Sequence, residues 1–335
     1  MPRASTRTLL DVAREAGVSR TTASAALSRT GRISEETRAH VLRVAEQLGY
    51  APNIWARKLR QDRVLSIGLY IPAYVFSRSY YMDFAFGAAE AAHARDVSLV
   101  LLATTLDPAD PAFQLLDGLI VVDPLDDDPV GRRLLAAGIP TVTGEFGPAD
   151  LPEPDGVVVT DHPDAIRRLL DHLAGQGAQR PALLAPDTTS HWSRAVRAGY
   201  LDWCREHEVE PLLTEVPFDS TPADMEEATG RLLDAGVGID AVISAPDGAA
   251  VGALAAARAR GLNVGTDLLV ASYVDGVVMQ TAVPPITAID LRPRAVGHEC
   301  AQMLLDVLDA TEPREHEVRE LPTELLARES TRPAR

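Results

Sequence analysis

The chain has 335 residues, 46% hydrophobic and 24% charged, the composition of an ordinary globular protein with room for two or three domains. It holds no run of about 18 uncharged apolar residues, which excludes a transmembrane helix, and its N-terminus lacks the apolar run of a signal peptide. Its two cysteines, Cys204 and Cys300, exclude a disulfide framework, so we expect packed thiols in a cytoplasmic protein.

The charge is divided unevenly along the chain. The formal net charge is −16, but residues 1–62 hold eleven Lys and Arg against six Asp and Glu, a net of +5. The remainder carries a net of −21. A basic end on an acidic body is typical of a nucleic-acid-binding module attached to a second domain, whose negative charge confines DNA contact to the basic end.

The first predicted elements are three short helices. Apolar residues at helical spacing predict a helix over 9–16, ending at Gly17, where a positive φ is expected. Ser19 is expected to cap a second helix over 20–28, and Ser34 opens a third. Two short helices joined by a glycine-containing turn predict a helix-turn-helix, whose second helix enters the DNA major groove.

The candidate DNA contacts lie near the start of the second helix. Arg20, Thr21 and Ser24 are expected to be exposed there, while Ala23, Ala26 and Leu27 face inward. Arg20 has the donors to bind the O6/N7 edge of a guanine, with a phosphate contact or a solvated side chain as the alternative. Thr22 and Ser24 are short hydroxyl donors suited to phosphate oxygens.

A short basic segment follows. Pro52 interrupts the chain and Asn53 is suited to cap a helix over about 54–61, too short to be stable alone. Leu59 would be an apolar side chain without a core to join, which suits a wedge between base pairs in the minor groove. The alternative is a plain linker with Leu59 packed on the next domain.

The body of the chain alternates between apolar runs and helical segments. Apolar runs of strand length occupy 64–71, 97–102, 118–122, 140–143, 156–159, 182–185, 241–244 and 268–272. Helical patterns occupy 81–94, 164–174, 193–207, 222–235 and 248–260. Continuous apolar strands alternating with helices predict buried parallel sheets, here two doubly wound lobes.

Residues 8–62 resemble the headpiece and hinge of the LacI/GalR family of bacterial regulators. The resemblance is carried by TLLDVAREAGVSRTTASAAL, ISEETRAHVLRVAEQLGYAPN and ARKLR. It implies a homodimer whose paired headpieces bind a pseudo-palindromic operator in double-stranded DNA, with Leu59 of each hinge helix in the minor groove. The DNA-binding residues expected from the residues and the resemblance together are Ser19, Arg20, Thr21, Thr22, Ser24, Arg29, Tyr50, Asn53, Ala56, Arg57 and Leu59.

The resemblance continues along the body at lower density. It is carried by Gly118-Leu119-Ile120, Ser193-Arg194 with Gly199-Tyr200, Ala245-Pro246-Asp247-Gly248, Tyr273-Val274-Asp275-Gly276 and Pro284–Ile289. It implies an all-α helix-turn-helix headpiece (1–51), a hinge (52–62) and an α/β, periplasmic-binding-protein-like core of two lobes (63–335). We place the N-lobe at about 63–160 plus 290–320 and the C-lobe at about 161–289 plus 321–335.

A small-molecule effector is expected in the cleft, at the carboxyl ends of the strands. The candidate effector-binding residues are Tyr74, Tyr81, Asp123, Glu145, Trp192, Arg194, Asp247 and Asp275. For three of them a structural role is the alternative: Tyr81 in the core, Glu145 in a solvated loop and Asp247 as a helix cap. Two departures from the family pattern, Pro246 and Val274, remove side-chain hydrogen bonds that the family uses for its ligand.

The sequence thus predicts a transcriptional regulator, a repressor whose operator affinity is controlled by a sugar-like or other metabolite. A corepressor-dependent or effector-independent regulator is the alternative, and a solute-binding protein is disfavoured by residues 1–62. An enzyme is disfavoured because no Gly-rich phosphate loop, GxSxG or HExxH motif occurs. We expect no cofactor and no metal, since the histidines lack metal-ligand spacing. The C-terminal residues lack an apolar heptad tail, which favours a dimer over a tetramer.

Overall fold

The computed structural model describes residues 9–19, 22–23, 26, 33–48, 65–72, 78–102, 107–187, 189–312 and 315–332. The chain divides into two compact units, Met1–Arg63 and Val64–Arg335. Within the described residues, no helix combines the length and the apolar character needed to span a bilayer. Cys204 and Cys300 are both free and buried, and burial raises the pKa of each thiol.

The smaller unit has a helical core. Helices α1 (Leu9–Glu15) and α2 (Glu35–Gln47) flank residues 22, 23 and 26, which are also helical. Gly17 ends the first helix with a φ of +64°, the left-handed conformation expected there. The buried side chains that hold this unit together are Val12, Ala13, Ala16, Ala23, Ala26, Val41, Val44 and Ala45. Leu42 of α2 lies outside this core and is 41% exposed.

The larger unit begins with a six-stranded parallel sheet in the order β11-β5-β4-β3-β1-β2. Its strands are β1 (Ser66–Tyr70), β2 (Ser98–Leu101), β3 (Gly118–Val122), β4 (Thr141–Gly144), β5 (Gly156–Thr160) and β11 (Glu317–Leu321). The helices of this lobe are α3 (Ser79–His93), α4 (Pro129–Leu135) and α10 (Pro293–Asp309). The central strands are buried along their whole length, as apolar runs in a doubly wound sheet require.

The second sheet has the order β12-β10-β9-β8-β6-β7, and only β12 runs antiparallel to its neighbour among these described strands. Its strands are β6 (Pro181–Ala185), β7 (Leu212–Glu215), β8 (Ala241–Ser244), β9 (Leu269–Ser272), β10 (Thr287–Asp290) and β12 (Glu324–Leu326). Its helices are α5 (His162–Gly175), α6 (His191–Glu206), α7 (Pro222–Asp234), α8 (Val251–Ala259) and α9 (Val277–Thr281).

The chain passes three times between the two sheets: from β5 to β6, from β10 to β11, and from β11 to β12. The two parallel α/β lobes predicted from the alternation of strands and helices are therefore confirmed. Since each lobe is built from separate chain segments, the cleft between them is bordered by the connecting segments as well as by strand ends.

Helices α3 and α10 of the first lobe pack closely against each other. A Cβ atom at Gly87 of α3 would lie 1.9 Å from the carbonyl oxygen of Arg294, and one at Gly297 of α10 would lie 2.0 Å from that of Phe84. Neither position has room for a side chain, so these two glycines set the helix separation. This packing fixes the N-terminus of α3, which borders the cleft.

Candidate functional site

The described part of the helical unit shows how its second helix begins. Ser19 Oγ accepts a hydrogen bond of 3.0 Å from the backbone N–H of Thr22 and lies 2.8 Å from the Thr22 hydroxyl. Ser34 makes the same pair of contacts with Thr37 at the start of α2. Ser19 is therefore a helix cap, as predicted, and its hydroxyl is engaged within the protein.

Most of the predicted DNA contacts lie outside the described residues: Arg20, Thr21, Ser24, Arg29, Tyr50, Asn53, Ala56, Arg57 and Leu59. Tyr74, predicted for the effector site, also lies outside them. The roles of these residues stay predictions.

A small cavity of about 40 Å³, within about 490 Å³ of empty space that includes open solvent, lies between the two lobes, where the carboxyl ends of strands from both sheets meet. It is lined by Arg78, Tyr80, Tyr81, Asp123, Glu145, His162, Trp192, Phe218, Ala245, Pro246, Asp247, Val274 and Leu291. The structure thus brings together five of the predicted effector residues: Tyr81, Asp123, Glu145, Trp192 and Asp247.

The two acids of the first lobe follow its strands directly and have strained backbones. Asp123 follows β3 with a φ of +44°, and Glu145 follows β4 with a φ of +80°. Non-glycine residues rarely adopt this left-handed region, and such strain is concentrated at functional sites. Both side chains are almost completely buried, at 5% and 6% exposure, so the alternative of a solvated loop acid does not apply to Glu145.

Asp123 is buried and hydrogen-bonded to Tyr81. Its Oδ2 atom accepts a hydrogen bond of 2.5 Å from the hydroxyl of Tyr81, which is 4% exposed. Burial raises the pKa of Asp123 to about 7, and the negative charge of Glu145 adds to this, while the Tyr81 hydrogen bond and His162 oppose it. Asp123 therefore exchanges its proton near neutral pH.

Glu145 is surrounded by two histidines of the second lobe. Its Oε2 atom lies 2.9 Å from Nδ1 of His191, and its Oε1 atom lies 3.0 Å from Nε2 of His162. The His162 contact does not have hydrogen-bond geometry, but Nδ1 of His162 lies 2.7 Å from the Tyr273 hydroxyl. Burial alone would raise the pKa of Glu145, but the two imidazoles outweigh it and lower this pKa to about 2. Glu145 is therefore a permanent anion.

Aromatic rings form the apolar wall of the cavity. The Trp192 ring lies parallel to that of Tyr273, with centroids 6.3 Å apart, and meets Phe218 edge-on at 5.4 Å. Tyr81 meets Tyr80 edge-on at 5.1 Å. Flat apolar faces beside carboxylate acceptors are suited to a ring that carries hydroxyl groups.

A second group of contacts joins the lobes at the N-terminus of α3. Arg78 donates to the carbonyl oxygens of Asp219, Ser220 and Asp247 at 2.5–2.8 Å. The Asp247 carboxylate accepts 3.1 Å hydrogen bonds from the Ser79 hydroxyl and the Tyr80 backbone N–H. Asp247 therefore caps a helix of the opposite lobe rather than the helix that follows it in sequence, which was the alternative considered for it.

Two predicted effector residues do not line the cavity. Arg194 forms a 2.6 Å salt bridge with Asp126 of the first lobe. Asp275 is buried against Arg328, whose guanidinium approaches both carboxylate oxygens at 2.7 and 2.9 Å. The structure shows Arg194 and Asp275 in these ion pairs rather than on the cavity wall, and their ligand contacts stay predictions.

Sequence reasoning missed Arg78, Tyr80, His162 and Phe218. His162 carried a usable signal, since it lies two residues after the end of the buried strand β5, whereas Asp123 and Glu145 directly follow their strands. Pro246 and Val274, the two departures from the family pattern, do line the cavity, so its polar contacts come from other residues. Among the described residues, no group of three or more His, Cys, Asp or Glu side chains is placed to hold a metal ion.

Comparison with known families identifies both parts of the chain. Residues 8–53 match the model of the bacterial regulatory proteins of the lacI family, and residues 170–331 match the periplasmic binding protein-like domain.

Relatives match along almost the whole length. The HTH-type transcriptional regulator CelR of Thermobifida fusca is 32% identical, over 96% of this chain and 98% of that protein. The lactose operon repressor of Escherichia coli K12 is 28% identical, over 97% of this chain and 90% of that protein. Among solved structures, a CelR–cellobiose complex has a TM-score of 0.72 at 27% identity, covering 97% of this chain and 99% of that chain. A lac repressor dimer bound to operator and the anti-inducer ONPF has a TM-score of 0.69 at 26% identity, covering 98% of this chain and 99% of that chain. The chain belongs to the lacI family of DNA-binding transcriptional regulators.

Proposed function

We propose that the chain is a repressor that binds a pseudo-palindromic operator as a homodimer. We further propose that a hydroxyl-rich small molecule in the cleft cavity sets its operator affinity. The net charge of +5 in residues 1–62 and the capped helices of the small unit support the DNA-binding part. The lac repressor relative is a dimer on its operator.

The observation that carries the effector part is that the cavity is walled by both lobes. Asp123, Tyr81 and Glu145 come from the first lobe, whereas Trp192 and Asp247 come from the second. A ligand in contact with both walls binds the closed lobes more tightly than the open ones. It therefore shifts the equilibrium between them by its difference in affinity.

The chemistry of the walls supports a sugar-like ligand. Carboxylates accept hydrogen bonds from hydroxyl groups, and the Trp192 and Phe218 rings offer apolar faces to a pyranose. The relative CelR has been solved with cellobiose, a ligand of this class. The side chains of Pro246 and Val274 cannot form hydrogen bonds, so the polar contacts with the ligand come from Asp123 and Asp247.

The test is a two-step measurement on the full chain. Selection from random duplexes first identifies the operator, and fluorescence anisotropy then measures the operator Kd with a panel of neutral sugars that includes cellobiose. Release of the operator by one sugar is the expected result. Tighter binding would identify a corepressor instead, and no selected duplex at all would contradict the DNA-binding proposal.

A further inference from the structure

The charged groups of the cavity are unevenly available to a ligand. Among the described residues, three carboxylates line it, those of Asp123, Glu145 and Asp247, together with the guanidinium of Arg78 and the imidazole of His162. Which of these groups a ligand can use depends on the partners that each already has within the protein.

The Arg78 guanidinium and the imidazoles near the cavity already have partners within the protein. Arg78 directs its terminal nitrogens at three backbone carbonyl oxygens. His162 and His191 both lie against the Glu145 carboxylate. They are also the first residues of α5 and α6. Glu145 of the first lobe thus sits in an anion site formed by these two imidazoles of the second lobe and by the backbone N–H of Thr160, which donates to its Oε1 atom at 3.2 Å.

The carboxylates that remain favour hydrogen-bond donors. Asp123 uses Oδ2 for Tyr81, and none of the described hydrogen bonds involves its Oδ1. Asp247 and Glu145 add further negative charge to the same cavity. An anion placed beside such a charge is repelled, and more strongly in the cavity than in bulk water, because the effective dielectric constant is lower there. A neutral hydroxyl group meets no such repulsion and can donate to Asp123.

We propose that the cleft accepts uncharged, hydroxyl-bearing ligands and rejects their phosphorylated and acidic forms, and that Glu145 sets this selectivity as a built-in anion. The inference rests on the proposed function only in taking the cavity as the ligand site. It adds the charge class of the ligand and a residue that determines it.

The direct experiment removes the carboxylate of Glu145 from its anion site. Glu145→Gly keeps the left-handed backbone, since glycine adopts a φ of +80° without strain, and leaves the two histidines facing an empty space. Sodium formate and inorganic phosphate are the probes, with thermal midpoint and calorimetric titration as readouts. We expect these anions to bind Glu145→Gly about tenfold or more tightly than the wild type.

The matched control is Glu206→Ala. It also removes an acid, but from an exposed salt bridge with Arg167, so it leaves no enclosed site and should gain no anion binding. Equal anion binding by the wild type and Glu145→Gly, or binding equal to that of Glu206→Ala, would overturn the proposal.

A second measurement uses the wild type alone, so it does not depend on the folding of a variant. Matched ligands are compared by titration: glucose with gluconate and glucose 6-phosphate, and cellobiose with cellobionate. We expect each neutral member that binds to exceed its anionic partners by about tenfold. An anionic member that binds as tightly contradicts the proposal while leaving the proposed function intact. If no member binds, the sugar part of the proposed function fails, and anion binding to Glu145→Gly alone decides the charge selectivity.

Discussion

Asp247 of one lobe accepts a 3.1 Å hydrogen bond from the backbone N–H of Tyr80, in the first turn of a helix of the other lobe. Helix N-termini have backbone N–H groups without partners in the helix, and a carboxylate there also interacts favourably with the helix dipole. A capping interaction that is normally local therefore holds two lobes together, at the border of the proposed ligand cavity. Asp247 consequently both lines the proposed ligand cavity and contributes to the closure of the two lobes.

Removing this cap is predicted to open the cleft. Asp247→Ala should raise the ratio of open to closed lobes about fivefold, for the loss of about 1 kcal/mol that a cap contributes. Fluorescence energy transfer between one dye on each lobe measures the change. Asp234→Ala is the control, since that acid pairs with Arg260 on the surface of the second lobe and should leave the ratio unchanged. Equal opening in both variants would show that Asp247 is not the cross-lobe cap.

Asp123 is predicted to make stability depend on pH. Its pKa is raised to about 7 in the folded protein, so between about pH 4 and pH 7 the folded state binds a proton that the unfolded state has lost. The contribution of Asp123 to the free energy of unfolding of the wild type therefore falls as pH rises from about 4 to about 7. Above about pH 7 this contribution no longer changes. Asp123→Asn, which tolerates the left-handed backbone, should gain stability relative to the wild type, by an amount growing to about 4 kcal/mol at pH 7.

Urea unfolding at a series of pH values measures this difference. The comparison between the two proteins cancels the other titrating groups, which both contain. A difference that stays constant from pH 4 to pH 8 would mean that Asp123 does not carry a raised pKa.

The close approach of α3 and α10 predicts a large effect of a single methyl group. Gly87→Ala places its Cβ against the carbonyl oxygen of Arg294 and should lower the free energy of unfolding by about 2–3 kcal/mol. Gly175→Ala, at the end of α5 with open space around it, should instead be neutral or stabilising by about 0.5 kcal/mol. Chemical denaturation of both variants tests the packing, and similar free energies for the two would contradict it.

Arg20, which lies outside the described residues, is predicted from the sequence to bind a guanine. Arg20→Ala should weaken binding to the selected operator by about 1–3 kcal/mol and relax the base preference at one position of each half-site. Arg14→Ala, which removes an equal charge from an exposed position on α1, should weaken all duplexes alike. Gel shifts with operator and random competitor separate the two effects, and an unchanged base preference in Arg20→Ala would limit its role to phosphate contact.

The sequence was most informative for buried parallel strands. Runs such as 118–122 and 156–159 are apolar throughout, so their pattern admits few alternatives to a central strand. The edge strand β7 is only half buried and was not predicted, because its exposed residues carry no clear period. Helix α10 was also missed, although Val296, Cys300 and Leu304 follow one another at intervals of four along its buried face.

The site was predictable only in part. Residues directly after strands were placed correctly in the cleft, as for Asp123 and Glu145, because parallel strands share one carboxyl edge. The partners of the cavity acids were not predictable, since His191 reaches Glu145, and Tyr80 reaches Asp247, across the cleft from elements distant in sequence. The same reason explains Arg194 and Asp275, whose ion pairs with Asp126 and Arg328 depend on how separate segments meet.

The central claim is that occupation of the cleft cavity controls operator binding. It is tested most directly by the operator Kd of the full chain, with and without the neutral sugar that the panel identifies, in the wild type and in Trp192→Ala. We predict that the sugar changes the wild-type operator Kd by about tenfold, a coupling of about 1.4 kcal/mol, and has no effect on the variant. Without sugar, the two proteins should bind the operator within about twofold of each other, because Trp192 belongs to the cavity wall. A full sugar response in Trp192→Ala, or none in the wild type with any neutral sugar, would contradict the account.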